Sequence, residues 1–157
     1  MTDIEELQKR INMDLRINDA NLSMELKEQP SKFAYWGAAH AIKLQEYNMA
    51  KVALQEKESF LAAELEKTYS AMKKKDPSVR TTDRIIKDAV TRHPERSEAY
   101  RELINVGLEE GILGVAKEAF RQRSQMILEL ARDRRNDLTT PESVYTRQLV
   151  KEHEKDE

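Results

Sequence analysis

The chain has 157 residues, a net charge of −2 and no cysteine; its mean hydropathy is −0.79. That length fits one domain or one helical unit, and the lack of cysteine excludes a disulfide framework, a thiolate metal site and a thiol nucleophile. Charged residues make up 36%, and four glycines and four prolines leave little material for hairpins or sandwiches. The composition therefore points to an all-α protein whose helices each bury one stripe.

The N-terminal M-T-D-I-E-E is acidic and lacks the apolar core of a signal peptide. No stretch approaches the ~18 apolar residues of a membrane span. The expectation is a soluble, cytoplasmic protein with no membrane partner. Charge is unevenly spread: residues 1–29 carry four Lys/Arg against seven acids, 137–157 carry three against six, and 73–101 carry nine against five. Two acidic ends flank a basic middle.

In chain order, Thr2-Asp3-Ile4-Glu5 fits a capping box, followed by a short helix with Ile4, Leu7 and Ile11 on one face. Alternation at Leu15 and Ile17 suggests a brief extended piece over 14–18, and Asn18 or Asp19 suits the cap of a second short helix carrying Leu22 and Leu26. Gln29-Pro30 reads as a fresh start, because a proline at the first helical position costs no hydrogen bond. A long helix is expected from about 30 to 75. Its main seam includes Trp36, His40, Leu44, Tyr47, Leu54, Leu61, Leu65 and Tyr69, spaced mostly by three and four.

A second stripe runs beside the seam through Tyr35, Ala39, Ile42, Met49, Ala53, Phe60 and Ala63. Such a helix spans roughly 65–70 Å, whereas a globule of this length has a radius of gyration of ~15 Å. The mismatch predicts packing on other long helices, including those of neighbouring copies, through Trp36, Leu44, Tyr47, Leu54, Leu61 and Leu65.

Lys73-Lys74-Lys75 suits the negative end of the helix dipole, and Asp76-Pro77 makes the stop. Thr81 or Thr82 would cap a short helix through Ile85, Ile86 and Val90, which His93-Pro94 ends. A second long helix is expected over about 95–136. Within it Gly107, Gly111 and Gly114 share one face and read as a smooth strip for close approach of another helix or as a place where the helix bends; the packing reading leads and also favours assembly. Residues 1–136 are thus read as one helical domain, and 137–157 as a charged, mobile tail.

Catalytic signatures are absent: no phosphate-binding G-x-x-x-x-G-K-S/T loop, no G-x-S-x-G elbow and no H-E-x-x-H. His40, His93 and His153 lie in three different segments. Neither an enzyme nor a metal or other cofactor is expected. Basic clusters offer a better lead. One comprises Lys73, Lys74, Lys75, Arg80, Arg84 and Lys87; another comprises Lys117, Arg121, Arg123, Arg132, Arg134 and Arg135. Solvated faces with internal pairs such as Glu118–Arg121 are the bland reading, and phosphate contact is the functional one. Tyr35, Trp36 and Tyr69 are the aromatics available for base stacking, though seam aromatics usually form core.

Several stretches carry a family likeness: I-E-E-L-Q around Leu7, the run Asp14-Leu15-Arg16-Ile17-Asn18, then Leu22, Glu25, Pro30, Tyr35 and Trp36. Further on come Lys51-Val52-Ala53-Leu54, Tyr69-Ser70, and Phe120 with Arg121, Arg123 and Ile127. In these the chain, over residues 3–136, resembles the small phage recombination mediators of the UvsY type. The resemblance implies a non-enzymatic protein that forms a ring-like homo-oligomer, binds single-stranded DNA, displaces single-strand-binding protein and loads a RecA-like recombinase. Of the basic residues that follow Val-Ala-Leu in that family only Lys57 is matched, with Gln55 and Glu56 beside it. The departure moves the expected DNA contact to the 73–84 and 117–135 clusters. The competing expectation is a helical scaffold or adaptor of a phage with no nucleic-acid role.

Overall fold

The computed structural model describes residues 3–80 and 82–139. Every regular element among them is helical: α1 (Asp3–Leu15), a 3₁₀ turn (Asp19–Asn21), α2 (Leu22–Lys75), α3 (Asp83–Arg92) and α4 (Pro94–Thr139). Thr2, Thr81 and the tail from Thr140, with His153, lie outside the described residues. No helix among those described is long and apolar enough to cross a membrane.

The second long helix is α4, with Pro94 at its first position as the missing N–H allows. Helix α3 begins at Asp83 because Thr82 is extended and its hydroxyl accepts from the Ile85 N–H at 3.4 Å. It ends where His93 leaves helical geometry ahead of Pro94. Helix α2, however, does not start at Pro30. The anticipated short helix over Leu22–Leu26 is continuous with it, and Pro30 sits in its interior.

Asn21 opens α2, its side-chain oxygen accepting from the Met24 N–H at 3.3 Å. Proline in a helix costs about 3 kcal/mol and frees the carbonyl four residues earlier. Leu26 and Pro30 both lie on the exposed side, where water can take that carbonyl. The opposite side buries Leu22, Glu25, Gln29 and Trp36, which outweighs the local penalty. The expected extended piece over 14–18 is displaced, because α1 runs on through Asp14 and Leu15 and Arg16 N–H still bonds back to Met13 O at 3.4 Å; of residues 16–18, which lie outside regular structure, Asn18 is in extended geometry. Asn18 caps the 3₁₀ turn, accepting from the Ala20 N–H at 3.0 Å.

The chain packs as two compact units: one draws on the chain before Ala38 and after Gly114, and the other is Ala38–Gly114. In the first unit Ile11, Leu22, Trp36, Ala116, Phe120 and Ile127 are buried. Trp36 stacks on Phe120 with ring centroids 5.9 Å apart, and its Nε1 donates to Asp14 Oδ2 at 3.1 Å.

In the second unit Leu61, Ile86 and Val90 form a cluster joined by Ala62, Leu65 and Tyr69. Four ion pairs tie α2 to α4 there: His40–Glu110 at 3.0 Å, Lys43–Glu109 at 2.8 Å, Lys57–Glu95 at 2.5 Å and Glu58–Arg96 at 2.9 Å. Residue numbers rise on α2 as they fall on α4, so the two segments run antiparallel.

This packing corrects the expected role of the α2 seam. Trp36, Leu54 and Leu61 are buried within their own chain, and Leu65 packs on the Leu61 cluster. Tyr47 lies against Gly107, where an added Cβ would meet the ring at 3.0 Å, and a Cβ at Gly114 would sit 3.4 Å from His40 Nε2. Leu44 stays exposed. Two of the three glycines therefore admit α2 of the same chain, not a neighbour.

Gly111 is different, since a Cβ there would meet nothing within 4 Å. Gly111→Ala is accordingly expected to stabilise the protein by about 1 kcal/mol through helix propensity alone, read as a higher urea midpoint. Gly107→Ala should gain less, because its Cβ must displace the Tyr47 ring. A lower midpoint for Gly111→Ala would mean that this face is covered after all.

Candidate nucleic-acid interface

The last turn of α2 ends in Lys73, Lys74 and Lys75, where positive charge complements the helix dipole. The chain then turns at Asp76, whose backbone N–H donates to Met72 O at 2.8 Å and whose Oδ1 accepts from the Ser78 N–H at 2.9 Å. Hydrogen bonds from the Ser78 side chain and backbone hold the Asp76 carboxyl below its ordinary range, so this acid is engaged in shaping the loop. Thr82 caps α3. Ile86 and Val90 bury against Leu61, which leaves Arg84 and Lys87, three residues apart, on the outer side of α3.

Lys73, Lys74, Lys75, Arg80, Arg84 and Lys87 are all exposed. None of the six makes an ion pair among the described residues. All six belong to the Ala38–Gly114 unit. Lys67, which sequence reasoning passed over, joins them. It lies one heptad before Lys74, and both line an open depression with Ser70, Thr82 and the acids Glu66 and Asp83. The seven-residue spacing was the available signal.

The other predicted contacts fare differently. Lys57 is paired with Glu95, and the hydrogen bond from Lys57 lowers that carboxyl. Arg121 grips Glu118 with Nε at 3.0 and 3.1 Å and Nη2 at 2.7 Å, which holds the carboxyl down and the guanidinium up. The anticipated Glu118–Arg121 pair is thus present. Lys117, Arg132, Arg134 and Arg135 are exposed.

Arg123 cannot serve as a phosphate contact as it stands, being 2% exposed. Its Nε donates to Leu15 O at 3.2 Å and its Nη2 to Arg16 O at 2.9 Å, satisfying carbonyls at the end of α1. Its remaining N–H groups reach the Gln29 and Glu25 side chains. Gln29 Nε2 in turn donates to Phe120 O at 2.6 Å, and Glu25 Oε1 accepts from the Asn18 N–H at 3.0 Å. Four segments meet on one guanidinium.

Of the three candidate stacking rings, Trp36 and Tyr69 are core. Tyr35 alone is exposed; it packs edge-on to Trp36 at 5.1 Å and accepts from Arg10 Nη2 at 3.0 Å. It belongs to the other unit from the α2–α3 cations.

Among the described residues no group of three or more His, Asp or Glu side chains is placed to hold a metal ion. What the α2–α3 turn offers is a concentration of cations on an exposed surface, without ion-pair partners among the described residues. Comparison with known protein families, with curated proteins and with solved structures finds no match for this chain.

Proposed function

We propose that the chain is a single-stranded-DNA-binding recombination mediator, loading a RecA-like recombinase onto DNA coated by single-strand-binding protein. The observation that carries the nucleic-acid part is the set of six exposed cations over residues 73–87, free of acidic ion-pair partners among the described residues. Unpaired cations bring counterion release on meeting phosphates, whereas paired ones such as Lys57 must first leave a carboxylate. The recombinase and single-strand-binding protein enter from the family resemblance alone.

Binding to oligo-dT in rising NaCl tests the reading. Affinity should be tight at low salt, fall steeply with salt and exceed that for duplex of equal length. Neutralising Lys73, Lys74 and Lys75 together to glutamine should lower the slope of log affinity against log salt by about 2, at ~0.7 per phosphate contact. Helical content should be unchanged. Unaltered affinity in that variant removes the α2 terminus from the site. No binding at low salt, or equal binding to duplex, sinks the mediator reading. A helical scaffold or adaptor without a nucleic-acid role would then stand.

A further inference from the structure

Within the Ala38–Gly114 unit, α2 has two apolar faces. One is the seam engaged with α3 and α4. The other carries Ile42, Met49, Val52 and Phe60, which are 60, 64, 52 and 58% exposed. At about 100° per residue these four, with Gln45, Ala53 and Glu56, fall within an arc of about 100°, centred roughly 150° from the seam. Single exposed hydrophobics need no explanation, but a stripe running about 27 Å along one helix does. Met49, Val52, Ala53, Gln45 and Glu56 also line a shallow surface depression along it.

Two polar side chains interrupt the stripe, and their positions indicate what covers it. Gln45 and Glu56 lie at equal distances on either side of the Ala50–Lys51 peptide. If two copies cross antiparallel there, Met49 of one opposes Val52 of the other, and Ile42 falls beside Phe60. Gln45 opposes Glu56 twice over by symmetry, amide donor to carboxylate acceptor. Lys51, at the centre, is held away from the stripe over the Tyr47 ring at 4.2 Å, so the two-fold axis meets no like charges. Parallel, in-register pairing would instead set Glu56 against Glu56 between apolar neighbours.

We propose that this outer face of α2 is an interface at which two copies of the chain pair antiparallel, centred between Ala50 and Lys51. The proposal is independent of the nucleic-acid reading and uses a different face from the seam that periodicity singled out.

Sedimentation of the full chain across the micromolar range should show reversible association into dimers or even-numbered multiples. Met49→Glu should shift the population to monomer. Gln45→Glu places like charges together and should weaken association by roughly tenfold or more. Adding Glu56→Lys to Gln45→Glu should restore it, because antiparallel pairing sets the two new charges against each other and parallel pairing does not. All these positions are exposed, so helical content should be unchanged. Three results overturn the proposal: a monomer at every concentration, which would leave the face to a different protein; association indifferent to Met49→Glu; or a double variant weaker than Gln45→Glu alone.

Discussion

Replacing Arg123 with methionine is expected to destabilise the first unit by about 3–5 kcal/mol, the usual cost of removing one partner from a buried ion pair. The loss has two parts. Glu25 keeps its charge in a buried site without its guanidinium, and Leu15 O and Arg16 O lose their donors at the end of α1. Lysine should rescue little, because one ammonium cannot reproduce the planar fork that reaches all four acceptors. Combining Arg123→Met with Glu25→Leu should recover only part of the loss, since the Asn18 N–H and the α1 carbonyls stay unsatisfied. Urea unfolding of the wild-type chain, Arg123→Met, Glu25→Leu and the double variant measures the coupling directly. A cost under about 1 kcal/mol for Arg123→Met would mean that the guanidinium is hydrated and the clasp idle.

The same pair sets an acid dependence. Burial pushes the Glu25 carboxyl up, but Arg123, the Asn18 N–H and Lys32 together outweigh it, and the carboxyl lies below its ordinary value. A carboxyl depressed on folding contributes stability that is present above its unfolded value, about 4.3. That contribution is lost as pH falls through the lower folded value. The advantage of the wild-type chain over Arg123→Met should therefore hold near neutrality and shrink in acid.

The second large effect is expected at Trp36. Trp36→Ala should cost about 3–5 kcal/mol, because it empties the space against Phe120, itself fully buried, and leaves Asp14 Oδ2 without its indole donor. Trp36→Phe should cost less, since it keeps a stacked ring and loses chiefly the hydrogen bond. Trp36 is the only tryptophan, so its emission in the wild-type chain reports this packing alone. It should be blue-shifted when folded and shift red through the urea transition. If Trp36→Ala left stability intact but altered the native mass, the seam would be an interface between copies after all.

Periodicity and cap chemistry determined a good deal unaided. The all-α class, the two long helices and the limits of α3 are local matters: the Thr82 cap, His93-Pro94 and runs of helix formers leave the backbone few alternatives. Charge clustering likewise placed the exposed cations of the α2–α3 turn, because lysines ending a helix before Asp-Pro have nowhere to bury.

Tertiary contacts decided the rest. Pro30 is a start signal by local rules, yet burial of Leu22, Glu25, Gln29 and Trp36 on one face carries α2 straight through it. Arg123 looked like its basic neighbours, and only the fold shows that one arginine is interior and the next exposed. A hint was present, since Ala116, Phe120, Arg123 and Ile127 keep a four-three-four seam with a cation in an apolar series. A charge at such a position needs a partner, and its partners lie 94 and 98 residues away at Gln29 and Glu25. The seam of α2 was visible as apolar, but periodicity gives a face and not its occupant. Which face meets the same chain, and which is left uncovered by it, depends on where the antiparallel α4 comes to lie.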